Sequence, residues 1–186
     1  MNKLSKTRLI ILTISIIVVG ILIDQITKYI FHSLYLKGSL PIYFFGKVGF
    51  TFVENFGGAW SIFSNWEHKN IIFFILTILG IPFFAVMLYL ARKKSLIGII
   101  GFCGAISGTL GNAIDRLFRS KEIFYTGGVR DFISVGSWFP VFNVADMLLV
   151  CGVICVVLAL FFFDDDCLFA NFFKKHKAKL DENNNK

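Results

Sequence analysis

The stretch FPVFNVADMLLVCGVICVVLALFFF, residues 139–163, decides how this chain folds. From Met147 onward it is an unbroken apolar run long enough to lie in a bilayer as a helix. Asp146 opens the run, and Asn143 stands three residues before it. A carboxylate at the edge of hydrocarbon is costly, and such a residue is by default a candidate for function.

Working outward, the whole 186-residue chain has the same character. It is 56% hydrophobic, contains 23 Phe and has a mean hydropathy of +0.72. A soluble domain of this size could not hide that much apolar surface, so the composition indicates one integral membrane domain, residues 1–186. The net charge of +7 comes from Lys and Arg flanking apolar runs, not from a basic groove with exposed polar structure, and nucleic acid is not an expected partner. Four spans are expected, at about 9–31, 71–91, 96–116 and 141–163, each close to the ~20 residues that cross a bilayer. The fold class is therefore an all-α membrane protein of four transmembrane helices. The first run lacks a small-x-small cleavage site and leads into Asp24-Gln25-Ile26-Thr27-Lys28, so it reads as a retained helix.

Lys3, Lys6 and Arg8, the Arg92-Lys93-Lys94 turn and the Lys-rich tail 164–186 fall on one side of four spans, which the positive-inside rule assigns to the cytoplasm. Both termini are then cytoplasmic, and the loops 32–70 and 117–140 lie outside. The first loop carries Phe50, Phe52 and Glu54 in alternation with Thr51, Val53 and Asn55, which reads as a short strand, with a Gly-rich turn and a second strand expected to follow. A small β-like loop domain on the outer membrane surface is expected, with Trp60 and Trp66 at headgroup level. Cys103, Cys151 and Cys155 read as small buried apolar residues; Cys151 and Cys155 share a helix face, but no His or third Cys joins that pair to suggest a metal.

The polar residues within and beside the spans gather at the outer level. Asp24 and Lys28 form an i, i+4 pair in the first span. Asn112, Asp115 and Arg116 share one face at the end of the third. Asn143 and Asp146 open the fourth, and Asp131 precedes it in the loop. Several have structural readings: Asp24–Lys28 as helix support, Asp115 paired with Arg119, Arg116 as a headgroup anchor. Asp146 has no basic side chain at helical spacing, so its partner is expected from elsewhere, Asp131 being the nearest unpaired candidate. Arg130, its neighbour on an extended segment, is expected to face out. Two carboxyls in a low-dielectric site cannot both ionise, so one pKa rises and the pair shares a proton. That suits a dyad activating water against a peptide carbonyl. A proton-coupled transporter uses the same residue types, and physics alone leaves both standing. A non-catalytic scaffold would leave Asp146 unexplained.

The ordered set DQITK (24–28), NFGGAW (55–60), GNAIDR (111–116), VRDF (129–132) and FNVAD (142–146) resembles the bacterial lipoprotein signal peptidase family, signal peptidase II. The resemblance implies a four-helix aspartic endopeptidase of the bacterial cytoplasmic (inner) membrane that cuts prolipoproteins just before the diacylglyceryl-modified Cys. It implies catalytic roles for Asp131 and Asp146, and substrate-binding or supporting roles for Asp24, Lys28, Asn55, Gly57, Gly111, Asn112, Asp115, Arg116, Asn143 and Ala145. Prolipoprotein and membrane lipid are the implied partners of a monomer, with the active site near the outer face and neither metal nor organic cofactor. Gly58, Trp60, Ser107 and Arg130 depart from the family's usual pattern.

Overall fold

The computed structural model describes residues 5–57, 69–91, 95–119 and 127–163. Four helices dominate: α1 (Lys6–Leu36), α2 (Lys69–Ala91), α3 (Leu96–Phe118) and α4 (Val144–Leu158), the last continued by a π-helical turn over Ala159–Phe163. All four are long and apolar enough to cross a membrane, and α2 shows no buried residue across its apolar window. That exposure is what a lipid-facing helix requires, since its backbone is satisfied internally and its side chains meet acyl chains.

The centre of the bundle is the contact between α3 and α4, made by small residues. A Cβ added at Gly101 would lie 2.7 Å from the Gly152 carbonyl oxygen, and one at Gly108 would lie 2.3 Å from that of Ala145. Without those side chains the two backbones pack directly, which is how membrane helices gain van der Waals contact in a solvent as apolar as themselves. Gly20 of α1 meets Ser107 of α3 in the same way, so Ser107 is a packing residue whose hydroxyl donates to the Cys103 carbonyl at 2.7 Å.

α1 continues five residues past the expected end at Phe31. Its 31 residues span about 46 Å at 1.5 Å per residue, more than a ~30 Å hydrocarbon core needs. The extra turns have their own partners: Phe31 stacks on Phe132 at 4.2 Å, and Tyr35 on Phe52 at 4.6 Å. Those rings belong to a three-stranded antiparallel sheet, β1 (Ile42–Phe45), β2 (Val48–Asn55) and β3 (Val129–Val135), in that order. The strand expected at 50–55 is present. Its partners differ from the expectation, for one precedes it and the other comes from the second outer loop. Asp131 lies opposite Val53, and Glu54 opposite Arg130. β3 is an outer strand, but its far flank is occupied. The Arg130 N–H donates to Asp115, and those of Phe132 and Ile133 both donate to the Phe142 carbonyl. The turn and strand expected after Asn55, Trp60 and Trp66, the Arg92–Lys94 turn and the basic tail lie outside the described residues.

Candidate active site

α4 begins at Val144, three residues later than expected, because Asn143 caps it. The Asn143 side-chain oxygen accepts from the Asp146 N–H at 3.0 Å, and the Asp146 carboxylate accepts from the Asn143 N–H at 3.1 Å. This reciprocal capping box satisfies two donors that the first turn would otherwise leave open. It also fixes where the Asp146 carboxylate points.

The remaining amide of Asn143 reaches across the site. Its Nδ2 donates to Asp131 Oδ1 at 2.6 Å and to Asn112 Oδ1 at 3.1 Å. Asn112 in turn donates to Asp146 Oδ1 at 2.8 Å, and Asn55 of β2 donates to Asp131 Oδ2 at 2.9 Å. Three asparagines from three elements thus hold two carboxylates from β3 and α4. Asp131 is 2% exposed, and its burial, then the charge of Asp146, push its carboxyl up to about 7. A carboxyl with that value beside a second carboxylate can hold the shared proton of an acid–base pair near neutral pH.

Both aspartates line a cavity of about 610 Å³. Asn55, Asn112 and Arg116 supply its other polar wall, and Phe139, Phe142, Met147 and Val150 much of the apolar one. The Arg116 guanidinium sits 4.0 Å over the Phe73 ring of α2. A concave site that is mostly apolar, with few convergent polar groups, suits an apolar ligand carrying one reactive polar bond.

Behind the dyad lies a buried ionic cluster. Lys28 Nζ is 2.9 Å from Asp24 Oδ2 and 3.7 Å from Asp115 Oδ2, and it donates to Asn112 Oδ1 at 2.9 Å. Asp24 Oδ1 accepts from the Ala145 N–H at 2.9 Å. Gly111 leaves room for this carboxylate, since a Cβ there would lie 2.6 Å from Asp24 Oδ2. Asp115 is gripped by Arg130, whose Nη2 lies 2.5 Å from Oδ1, with Nε and the backbone N–H on Oδ2 at 3.1 and 2.9 Å.

Residues 16–162 match the profile of the family Signal peptidase (SPase) II. The chain belongs to the signal peptidase II family. It is 34% identical over 149 residues to a lipoprotein signal peptidase of Latilactobacillus sakei, covering 77% of this chain and 91% of the relative. It is also 34% identical over 156 residues to that of Clostridium acetobutylicum, covering 82% and 95%. A solved structure described as a bacterial membrane enzyme superposes with a TM-score of 0.59 at 32% identity, covering 80% of this chain and 91% of that one.

Of the residues singled out from the sequence of this signal peptidase II, Asp131, Asp146, Asn55, Asn112 and Asn143 meet directly, and Asp24, Lys28, Asp115 and Ala145 stand behind them. Gly57 donates its N–H to Asn55 Oδ1 at 3.0 Å, so it holds the Asn55 amide. Gly58 and Trp60 lie outside the described residues. Four expectations need correcting. Asp146 does have a local partner, the backbone N–H of Asn143, which side-chain spacing does not reveal. Asp115 pairs with Arg130 and Lys28, while Arg119 pairs with Glu54. Arg130 points away from Asp131, as strand alternation requires, but into the buried cluster and not out; it is 9% exposed. Of the three cysteines only Cys103 is buried as expected; Cys155 is half-buried, and Cys151 lines the cavity, because the neighbouring Gly152 takes the face toward α3. Gln25 was missed. It accepts from Arg130 and donates to Gly111 and Asp24, and a lone amide in an apolar run beside Asp24 was the available signal.

Proposed function

We propose that Asp131 and Asp146 are the catalytic pair of this enzyme, a membrane aspartic peptidase that removes signal peptides from prolipoproteins. One carboxylate takes a proton from a water held between them as it attacks the scissile carbonyl. The protonated partner donates to the carbonyl oxygen, and the proton is then passed to the leaving amine. Asn143 touches both aspartates, directly at Asp131 and through the capping box at Asp146, and that bridge is the observation that carries the reading. Asn112 and Asn55 hold the carboxylates' other oxygens, and the apolar wall keeps bulk water from competing. The bond cut is the one before the diacylglyceryl-modified Cys, whose acyl chains stay in lipid between the spans. The protein acts as a monomer in the bacterial cytoplasmic membrane, with both termini inside and the dyad near the outer face. The Lys and Arg distribution supports that orientation.

The test uses purified, detergent-solubilised protein and a diacylglyceryl-modified prolipoprotein. Asp131→Asn and Asp146→Asn should each abolish cleavage while membrane insertion is kept. Turnover by either variant near that of the wild type would remove the dyad.

A further inference from the structure

We propose that Arg130 is a positioning residue for the dyad, clamping β3 so that Asp131 faces Asn143 and Asp146. The proposal rests on the dyad reading above. A buried arginine is costly unless it is paired, and two of this one's three guanidinium nitrogens, Nε and Nη2, have partners. Its fork takes both Asp115 oxygens, and its second Nη2 contact is Gln25 Oε1 at 3.0 Å. Such a two-pronged contact fixes orientation as well as distance. Gln25 is oriented in turn, because its Nε2 donates to the Gly111 carbonyl and to Asp24, each at 3.0 Å. Residue 130 of β3 is therefore tied to α3 and α1 on one side of the strand. Residue 131 is tied to Asn55 and Asn143 on the other. Freeing the first side lets the strand roll about its axis and carries the Asp131 carboxylate out of register.

Charge provides a second route to the same site. Asp24 and Asp115 are balanced by Lys28 and Arg130. Without the guanidinium, Asp115 and Asp24 compete for Lys28 alone. Lys28 now sits closer to Asp24, at 2.9 Å against 3.7 Å, and it holds the Asn112 oxygen. Drawing its ammonium toward Asp115 loosens Asn112, and with it the donor on Asp146. Neither Arg130 nor Gln25 touches a reacting atom in this scheme, so both act through other groups.

The experiment compares Arg130→Met, Arg130→Lys and the double variant Asp115→Asn/Arg130→Met with wild type, as full-length protein in detergent on the lipid-modified precursor. Arg130→Met should lower kcat by roughly 10²-fold, the cost of a displacement near 1 Å, with KM unchanged. Arg130→Lys, which keeps the charge and loses the fork, should fall about tenfold on the same scale. The double variant, with neutrality restored, should be faster than Arg130→Met. A merely structural role would reduce the amount of folded enzyme, leave the kcat of that enzyme at the wild-type value and show no such reversal. Wild-type kcat in Arg130→Met, or a double variant no faster than it, overturns the proposal. Should Arg130→Met fail to insert, Arg130→Lys decides alone, and wild-type kcat there overturns it. Asp131→Asn is measured beside them: if that variant cleaves, the dyad reading itself falls, whereas active Arg130 variants beside an inactive Asp131→Asn remove only the clamp.

Discussion

Replacing Gly108 with alanine should damage cleavage far more than folding. The added Cβ would lie 2.3 Å from the Ala145 carbonyl oxygen and 2.8 Å from the Leu149 nitrogen. Both are backbone atoms of α4, so no rotamer change relieves the clash. Carbon and carbonyl oxygen settle at about 3.3–3.6 Å, so α3 and α4 must part by about 1 Å at this level. Asn112 stands one turn further along α3, and Asp146 follows Ala145. Their 2.8 Å hydrogen bond would open to about 3.8 Å, beyond bonding range. Overpacking costs about 1–3 kcal/mol, and alanine returns up to about 1 kcal/mol of helix propensity. The expected net loss is about 0–3 kcal/mol of stability. A shift near 1 Å at a reacting group costs roughly 10²-fold in rate. Thermal unfolding and prolipoprotein cleavage, measured on the same detergent sample, separate the two effects. Gly80→Ala in α2 is the control, since nothing lies within 4 Å of its added Cβ. Wild-type cleavage by folded Gly108→Ala would refute the idea that this backbone contact sets the dyad.

Asp131 is held up to about 7 by burial and by Asp146, so cleavage should decline as pH rises through about 7 and the shared proton is lost. A profile flat across that range would count against the shared proton. The sign for stability is the same: a carboxyl raised in the folded state stabilises below its unfolded value near 3.8, and that contribution is gone once pH passes about 7. Asp146→Asn deletes one of the raising causes, so the Asp131 carboxyl band in infrared spectra should titrate at lower pH than in wild type. Asn55→Ala removes a donor from Asp131 and leaves α4 capped, so kcat should fall with little change in melting temperature; an unaffected kcat would make Asn55 a bystander. Cysteine introduced at Lys47, in a background without the native cysteines, should react with an impermeant maleimide on intact cells, and cysteine at Arg8 should not. The reverse pattern would invert the topology.

The four membrane helices were legible because an apolar run of bilayer length satisfies its backbone most simply as a helix in lipid. The gathering of polar residues at one level was legible because in so apolar a chain each of them stands out. Their pairing was not. Helical spacing shows side chains three and four apart, so it offered Arg119 to Asp115, while the true partner, Arg130, arrives on a strand from another loop. It likewise could not show that the nearest partner of Asp146 is a backbone N–H. β3 escaped notice as a strand because Val129 through Phe132 are buried in succession, and a segment covered on both sides has no polar alternation to read. The ends of α1 and α4 moved for local reasons, an aromatic contact with the sheet and an asparagine cap.

The flank of β3 that faces away from β2 also bears on what can bind there. An uncovered outer strand recruits extended peptides and, during synthesis, other copies of itself. Here the N–H groups of Arg130, Phe132 and Ile133 are already spent on a carboxylate and a carbonyl of the same chain. If the substrate's signal peptide binds beside Asp131, as proposed above, it finds on this flank no row of main-chain donors with which to zip up as a further strand. Among the described residues, side-chain amides and apolar contact are then left to grip it on this flank, and these tolerate variation in the peptide's own sequence better than a backbone ladder of fixed register. The same occupied flank gives nascent chains little to template upon, which matters for a small protein whose sheet is assembled from two loops far apart in sequence.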